Sequence, residues 1–220
     1  RRHAMHKYFS EINMKQGLSM ERKKLFIDVD NTLANTMQNW VEVARAEYGI
    51  KQKFEDFFDY DIKLVTGLPY ELVTLLFKKV WSKNEEISII DSAVPSIVKR
   101  LGEYYSINIM TSSVASDEEI MRWLARNGIE YERLVHIKKQ LEKLELDGDI
   151  FIDDNIDVAK GLAAKGKLVF LISQPWNRSA DSSIVNVNVV KSWKEIEMAL
   201  VPNAEFGSVL RKDRSKIALK

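Results

Sequence analysis

The sequence of 220 residues contains no cysteine. That excludes disulfides and thiolate metal sites, and it fits an expectation of a cytoplasmic protein. Histidine is nearly as scarce. Of three, His3 and His6 lie in a basic opening segment, which leaves little material for histidine catalysis or a zinc centre. An excess of either charge is also missing. The 33 Lys and Arg against 32 Asp and Glu leave a formal net charge of +1, which gives no sign of a nucleic-acid partner or an anionic membrane surface. No apolar run approaches the ~20 residues that a bilayer span needs, and no secretory signal is visible. What is present, 45% hydrophobic and 30% charged residues, suffices for one sizeable core with a smaller inserted unit.

One short stretch concentrates the chemistry: Lys24-Leu-Phe-Ile-Asp28-Val-Asp30-Asn-Thr32-Leu-Ala34. Leu25, Phe26, Ile27 and Val29 favour a buried strand, and two carboxylates and a hydroxyl follow where the apolar run ends. A carboxylate buried there is costly without a metal, a cation or hydrogen-bond donors. Asp28 and Asp30 therefore require partners from elsewhere in the chain.

Downstream, Asn35 to Tyr48 reads as a helix closed by Gly49. An aromatic, acidic segment follows, and Pro69 opens a helix to about Ser82 whose apolar positions are Leu72, Leu75, Leu76, Val80 and Trp81. No strand is evident between Asn35 and about Ile87, so a helical insertion follows directly on the acidic strand end, as a lid would. Helices and strands then alternate. Val94–Tyr105 reads as a helix and Ile107–Met110 as a strand ending in Thr111-Ser112-Ser113. Ser116 to Glu119 has capping-box spacing for a helix that Asn127-Gly128 ends. Leu134–Ile137 is a strand, Lys139 to about Leu144 a short helix, and Ile150–Ile152 a strand ending in Asp153-Asp154-Asn155. A helix stopping at Gly166, a strand over 168–172, a last strand within 185–190 and a helix capped at Ser192 complete the pattern. Such alternation implies an α/β, Rossmann-like three-layer fold with a parallel sheet. The expected division is an N-terminal extension over 1–20, a core over 21–34 and 88–200, a helical cap over 35–87 and a tail over 201–220.

In open parallel sheets, ligands bind outside the carboxyl ends of the strands. Gathering Asp28, Asp30, Thr111, Ser112, Asp153, Asp154 and a lysine at one rim joins four carboxylates, two hydroxyls and an ammonium. The carboxylates would repel one another unless a cation joined them or one kept a proton. Hard oxygen ligands suit Mg²⁺, and lysine with hydroxyl donors suits phosphate.

These motifs, in this order, resemble motifs I to IV of the haloacid dehalogenase-like (HAD) phosphohydrolases. Within that superfamily the insertion resembles a C1-type cap. Ile152–Asn155, Ser173–Arg178 and Val190–Glu195 are similar to stretches of the 5′(3′)-deoxyribonucleotidase family. The resemblance implies a phosphomonoesterase in which Asp28 attacks phosphorus to form an aspartyl-phosphate and Asp30 serves as acid and base. It further implies Mg²⁺ on Asp28, the Asp30 carbonyl and Asp154, with Asp153 orienting lysine and metal waters. Thr111, Ser112 and the lysine would stabilise the phosphoryl oxygens. Lys139 is the expected lysine, with Lys138 and Lys143 as alternatives. The implied partner is a small phosphoester, a nucleoside monophosphate in particular, with no stable nucleic-acid partner, no membrane, and a homodimer left open. A different phosphoester, a nucleic-acid end, or a non-catalytic regulatory role on the same scaffold are the competing readings. Both motif I aspartates are present, which argues against the last.

Simpler roles compete for single residues. Thr111-Ser112 and Asp153–Asn155 could cap helices, and an Asn155 cap is compatible with aspartates facing a site. A calcium loop fails because Leu33 stands at its glycine position. A P-loop over Gly161–Leu168 fails for want of Ser or Thr after Lys167. Cap aromatics should form a small core of their own, with Phe57, Phe58 and Trp81 as substrate-stacking candidates.

Overall fold

A computed structural model of the chain describes residues 21–180 and 183–202. The expected extension over 1–20 and the tail beyond 202 lie outside the described residues. Six strands, β1 (Lys24–Asp28), β2 (Ser106–Thr111), β3 (Arg133–His136), β4 (Ile150–Asp153), β5 (Leu168–Ile172) and β6 (Val187–Val190), form one sheet in the order β3-β2-β1-β4-β5-β6. Every pairing is parallel. The near-continuous apolar runs of β1, β4 and β5 suit strands covered on both faces. Ile27 pairs with Ile109 on one side and Ile152 on the other, which fixes β1 at the centre. The order reverses between β1 and β4, so the crevice at their carboxyl ends is where a ligand belongs.

Between β1 and β2 the chain forms α1 (Thr36–Tyr48), α2 (Ile62–Thr66) and α3 (Tyr70–Ser82), with no strand among them. An antiparallel bridge between Ala34 and Ile89 pinches the exit and return of this insertion. Trp40 on α1 donates its indole N–H to the Val73 carbonyl on α3 at 3.1 Å and packs edge-on against Phe57. Trp81 on α3 meets Trp123 edge-on, so this small core is continuous with the helices behind the sheet.

The remaining helices are α4 (Val94–Leu101), α5 (Asp117–Arg126), α6 (Ile156–Ala164) and α7 (Trp193–Leu200). The Ser116 capping box forms as the spacing predicts, with the hydroxyl accepting from Glu119 N at 3.2 Å and Ser116 N donating back at 2.8 Å. Several boundaries differ from the sequence reading, among them those of β2, which is one residue longer at each end. β3 starts and ends one residue early, β6 is shortened to four residues, and α4 stops at Leu101 ahead of Gly102. The short helix expected from Lys139 is a 3-10 segment over Gln140–Glu145. Its tighter winding turns Lys143 inward while Leu144 packs on α6. Gly161 makes that approach possible, because a Cβ there would lie 2.6 Å from the Leu144 side chain. Among the described residues, no helix is long and apolar enough to cross a membrane.

Candidate active site

β1 ends on Asp28, whose carboxyl is 3% exposed. Lys143 Nζ lies 2.8 Å from Asp28 Oδ1 and 2.8 Å from Asp153 Oδ2, joining the ends of β1 and β4 through a wholly buried ammonium. The expected Lys139 does not make this contact. It stands at the N-cap of the 3-10 segment, exposed like Lys138, and both line the mouth of a cavity above the site. The physical reason is the direction of that segment, whose inward face carries residue 143 and whose solvent side carries 138 and 139.

β4 ends on Asp153 and Asp154 follows it, both buried. Asp153 Oδ1 accepts from Asn155 N at 2.8 Å, and Asn155 caps α6 by accepting from Asp157 N and Val158 N. Capping and acidic display thus coexist. Among the described residues, Asp154 Oδ2 is buried without a hydrogen-bond partner. Asp28, Asp153 and Asp154 each offer a carboxylate oxygen within 4.8 Å of the others. An orphaned buried carboxylate oxygen beside two more hard donors fits a divalent cation of the Mg²⁺ type.

Asp30 is half-buried on the cavity wall, its Oδ1 accepting from Trp81 Nε1 at 3.1 Å. The chain reverses immediately after it through Asn31, at φ 58°, a conformation that asparagine tolerates better than branched residues. Asn31 Oδ1 accepts from Met37 N at 2.9 Å and Gln174 Nε2 donates to the Asn31 carbonyl at 2.7 Å. Trp193 Nε1 donates to the Thr32 carbonyl at 3.0 Å, so the first residues after β1 are held from α1, the β5 end and α7 together.

From β2, Thr111 is fully buried with its Oγ1 accepting from Ser113 N, while Ser112 and Ser113 line the cavity. Ser112 Oγ donates to Gln140 Oε1 at 2.5 Å, and Gln140 Nε2 donates to the Tyr60 hydroxyl. The cavity measures about 840 Å³, with Asp28 and Asp30 on its floor. Its upper wall is the α3 stripe Tyr70, Val73, Thr74 and Phe77, with Met37 and Phe57 beside it. Of the three aromatic candidates, Phe57 reaches this wall. Phe58 is 66% exposed and lies away from it, and Trp81 is buried behind Asp30.

The sequence matches the family described as 5′ nucleotidase, deoxy (pyrimidine), cytosolic type C over residues 22–205. The chain belongs to this nucleotidase family. A nucleotidase of Clostridium acetobutylicum is 25% identical over 185 residues, which span 80% of this chain and 93% of that protein. Solved structures share the fold. A haloacid dehalogenase-like hydrolase from Xanthomonas campestris superposes with a TM-score of 0.54 at 11% identity, over 91% of this chain and 100% of that one. A HAD hydrolase from Bacillus subtilis bound to magnesium gives 0.54 at 14% identity, over 83% and 100%. The nucleotidase described here is therefore a HAD-type phosphohydrolase with an all-parallel Rossmann-like core.

Electrostatics in the nucleotidase site follow from burial. Burial pushes the Asp28 carboxyl up to about 8, opposed by Lys143 and helped by Asp153 and Asp30. Asp154 is raised well above the carboxylate range, first by burial and then by Asp153 and Asp28. Burial raises Asp30 as well, against hydrogen bonds from Ser113, Thr36 and Trp81. Burial alone would lower Lys143, but Asp153 and Asp28 reverse the sign and hold it above the ordinary lysine value. With folded carboxyl values above their unfolded 3.8, the metal-free folded protein binds more protons than the unfolded chain up to about pH 8. Its stability therefore falls as pH rises through that window. The unfolding temperature in chelator should decline from about pH 5 to about pH 8, and millimolar Mg²⁺ should recover most of the loss at the upper end. Equal profiles with and without Mg²⁺ would contradict a cation on the acidic triad.

Proposed function

We propose that this nucleotidase is a Mg²⁺-dependent phosphomonoesterase that dephosphorylates (deoxy)nucleoside monophosphates. The observation that carries the reading is the two-ended cavity of about 840 Å³, with carboxylates and Ser112 at its floor and an apolar wall from α1 and α3 above. Its size lies within the usual small-ligand range, suited to a nucleotide rather than a nucleic-acid strand.

Asp28 is the nucleophile, its carboxylate forming an aspartyl-phosphate. Lys143 takes the role expected of Lys139, its ammonium holding Asp28 in place and countering phosphoryl charge. Ser112 supplies a hydroxyl donor to the phosphoryl oxygens, leaving Gln140 to do so, and the buried Thr111 supports it by accepting from Ser113 N. Asp30 protonates the departing alcohol and then deprotonates the attacking water. Asp28, Asp154 and the Asp30 backbone carbonyl would hold Mg²⁺, with Asp153 orienting Lys143. When bound, the cation supplies charge neutralisation for the incoming phosphate dianion. Phe57, Val73 and Phe77 offer the apolar surface against which a base can lie.

The test is a phosphate-release screen with and without Mg²⁺ over deoxy- and ribonucleoside monophosphates, sugar phosphates and a 3′-phosphorylated oligonucleotide. Nucleoside monophosphates should be preferred and release should need the cation. Preference for the oligonucleotide or a sugar phosphate would overturn the substrate class.

A further inference from the structure

The chain has five tryptophans, at positions 40, 81, 123, 176 and 193, all among the described residues. Three of them satisfy a buried indole in the ordinary way: Trp40, Trp123 and Trp193 donate to the backbone carbonyls of Val73, Ile87 and Thr32. Trp176 Nε1 has no hydrogen-bond partner among the described residues. Trp81 alone donates to a side chain, and that side chain is Asp30, over 3.1 Å to Oδ1. The Trp81 ring is fully buried, set edge-on to Trp123 with centroids 6.5 Å apart, and forms no part of the cavity wall. Asp30 does line the cavity, so Trp81 grips it from behind.

An indole nitrogen can donate but never accept. The oxygen that receives its N–H is held as an acceptor, while the Ser113 and Thr36 side chains also hydrogen-bond the carboxyl. Resting on the phosphatase reading above, we infer that Trp81 is a positioning residue that fixes Asp30 Oδ1 and so orients the carboxyl for proton transfer. As Asp28 attacks phosphorus, the bond to the alcohol oxygen breaks with its electron pair, and that oxygen takes the proton from Asp30. Water then gives a proton to Asp30 while its oxygen attacks the phosphoryl group and the bond to Asp28 breaks, restoring both aspartates. The Trp81 N–H stabilises the Asp30 carboxylate between the two steps. Because Trp81 belongs to the last turn of α3, part of the orientation of the acid is supplied by the insertion.

Trp81→Phe keeps an aromatic ring and removes only the donor. For an alkyl phosphate such as a nucleoside monophosphate, whose leaving oxygen must be protonated, kcat/KM should fall about tenfold or more. For an aryl phosphate with an acidic phenol, which departs without a proton, it should fall less than about threefold. kcat/KM reports the steps up to alcohol release, so the later hydrolysis of the aspartyl-phosphate does not blur the comparison. Independently of turnover, the Trp81 indole N–H resonance, assigned in the wild-type protein from its through-space contacts with the Trp123 ring, should move in Asp30→Asn while the Trp40 and Trp193 resonances stay. Equal slowing of both esters, no slowing of either, or an unmoved Trp81 resonance would overturn the proposal. If Trp81→Phe does not fold, the resonance in Asp30→Asn decides it. Wild-type protein that hydrolyses neither ester is a separate result, which removes the phosphatase reading itself.

Discussion

Asp28→Asn should reduce phosphate release by at least about a thousandfold on every substrate the wild-type protein accepts, while the metal-free variant unfolds at an equal or higher temperature at pH 8. The two halves have one cause. An amide cannot form the aspartyl-phosphate, and it also removes a carboxyl that burial has pushed up to about 8. An asparagine at position 28 still presents an oxygen to Lys143, which lies 2.8 Å away in the native site. Parallel phosphate-release and calorimetric measurements check both. Near-native turnover would remove Asp28 from the nucleophile role. A marked fall in unfolding temperature would show that the native ion pair contributes more than its desolvation costs.

Lys143→Met should be destabilising by about 3 kcal/mol at pH 8, because removing one partner of a buried ion cluster leaves its charges uncompensated. The cost should shrink as pH falls and the stranded carboxyls take up protons. Lys139→Met should change stability by no more than about 0.5 kcal/mol, as expected for an exposed side chain. Denaturant melts of the two variants separate these outcomes, and phosphate release should collapse in the first and largely survive in the second. Matching melts, or greater activity loss at residue 139, would reverse the assignment of the lysine.

Strand positions were legible in the sequence because each apolar run is short, continuous and bounded by polar residues, from Leu25–Ile27 to Leu168–Ile172. The carboxylates at their ends were legible for the same reason: a parallel sheet brings all its strand ends to one rim. Lys143 was harder to choose. Three lysines fall within six positions, and only the winding of Gln140–Glu145, with Leu144 packed against Gly161, turns residue 143 inward. The apolar cavity wall shows a similar limit. Tyr70, Val73, Thr74 and Phe77 carry helical spacing, yet the same helix buries Leu76, Val80 and Trp81 on a neighbouring stripe. Periodicity identifies a face without saying whether it meets a core or a cavity. Trp81 looked like a stacking platform, and what distinguishes it is a long-range bond across 51 residues that no local pattern encodes.

The Trp193 bond to the Thr32 carbonyl joins residues 161 apart. The strand that carries Asp28 is the first of the described sheet to be made, yet its neighbour β4 ends at Asp153 and the clasp on its following turn comes from α7. During synthesis the earliest part of the reactive centre must therefore wait for almost the last, since non-local parallel pairing cannot precede its partner strands. A nascent chain halted before Trp193 should carry Asp28, the proposed nucleophile, without the geometry to use it, so that activity arrives only with the completed fold.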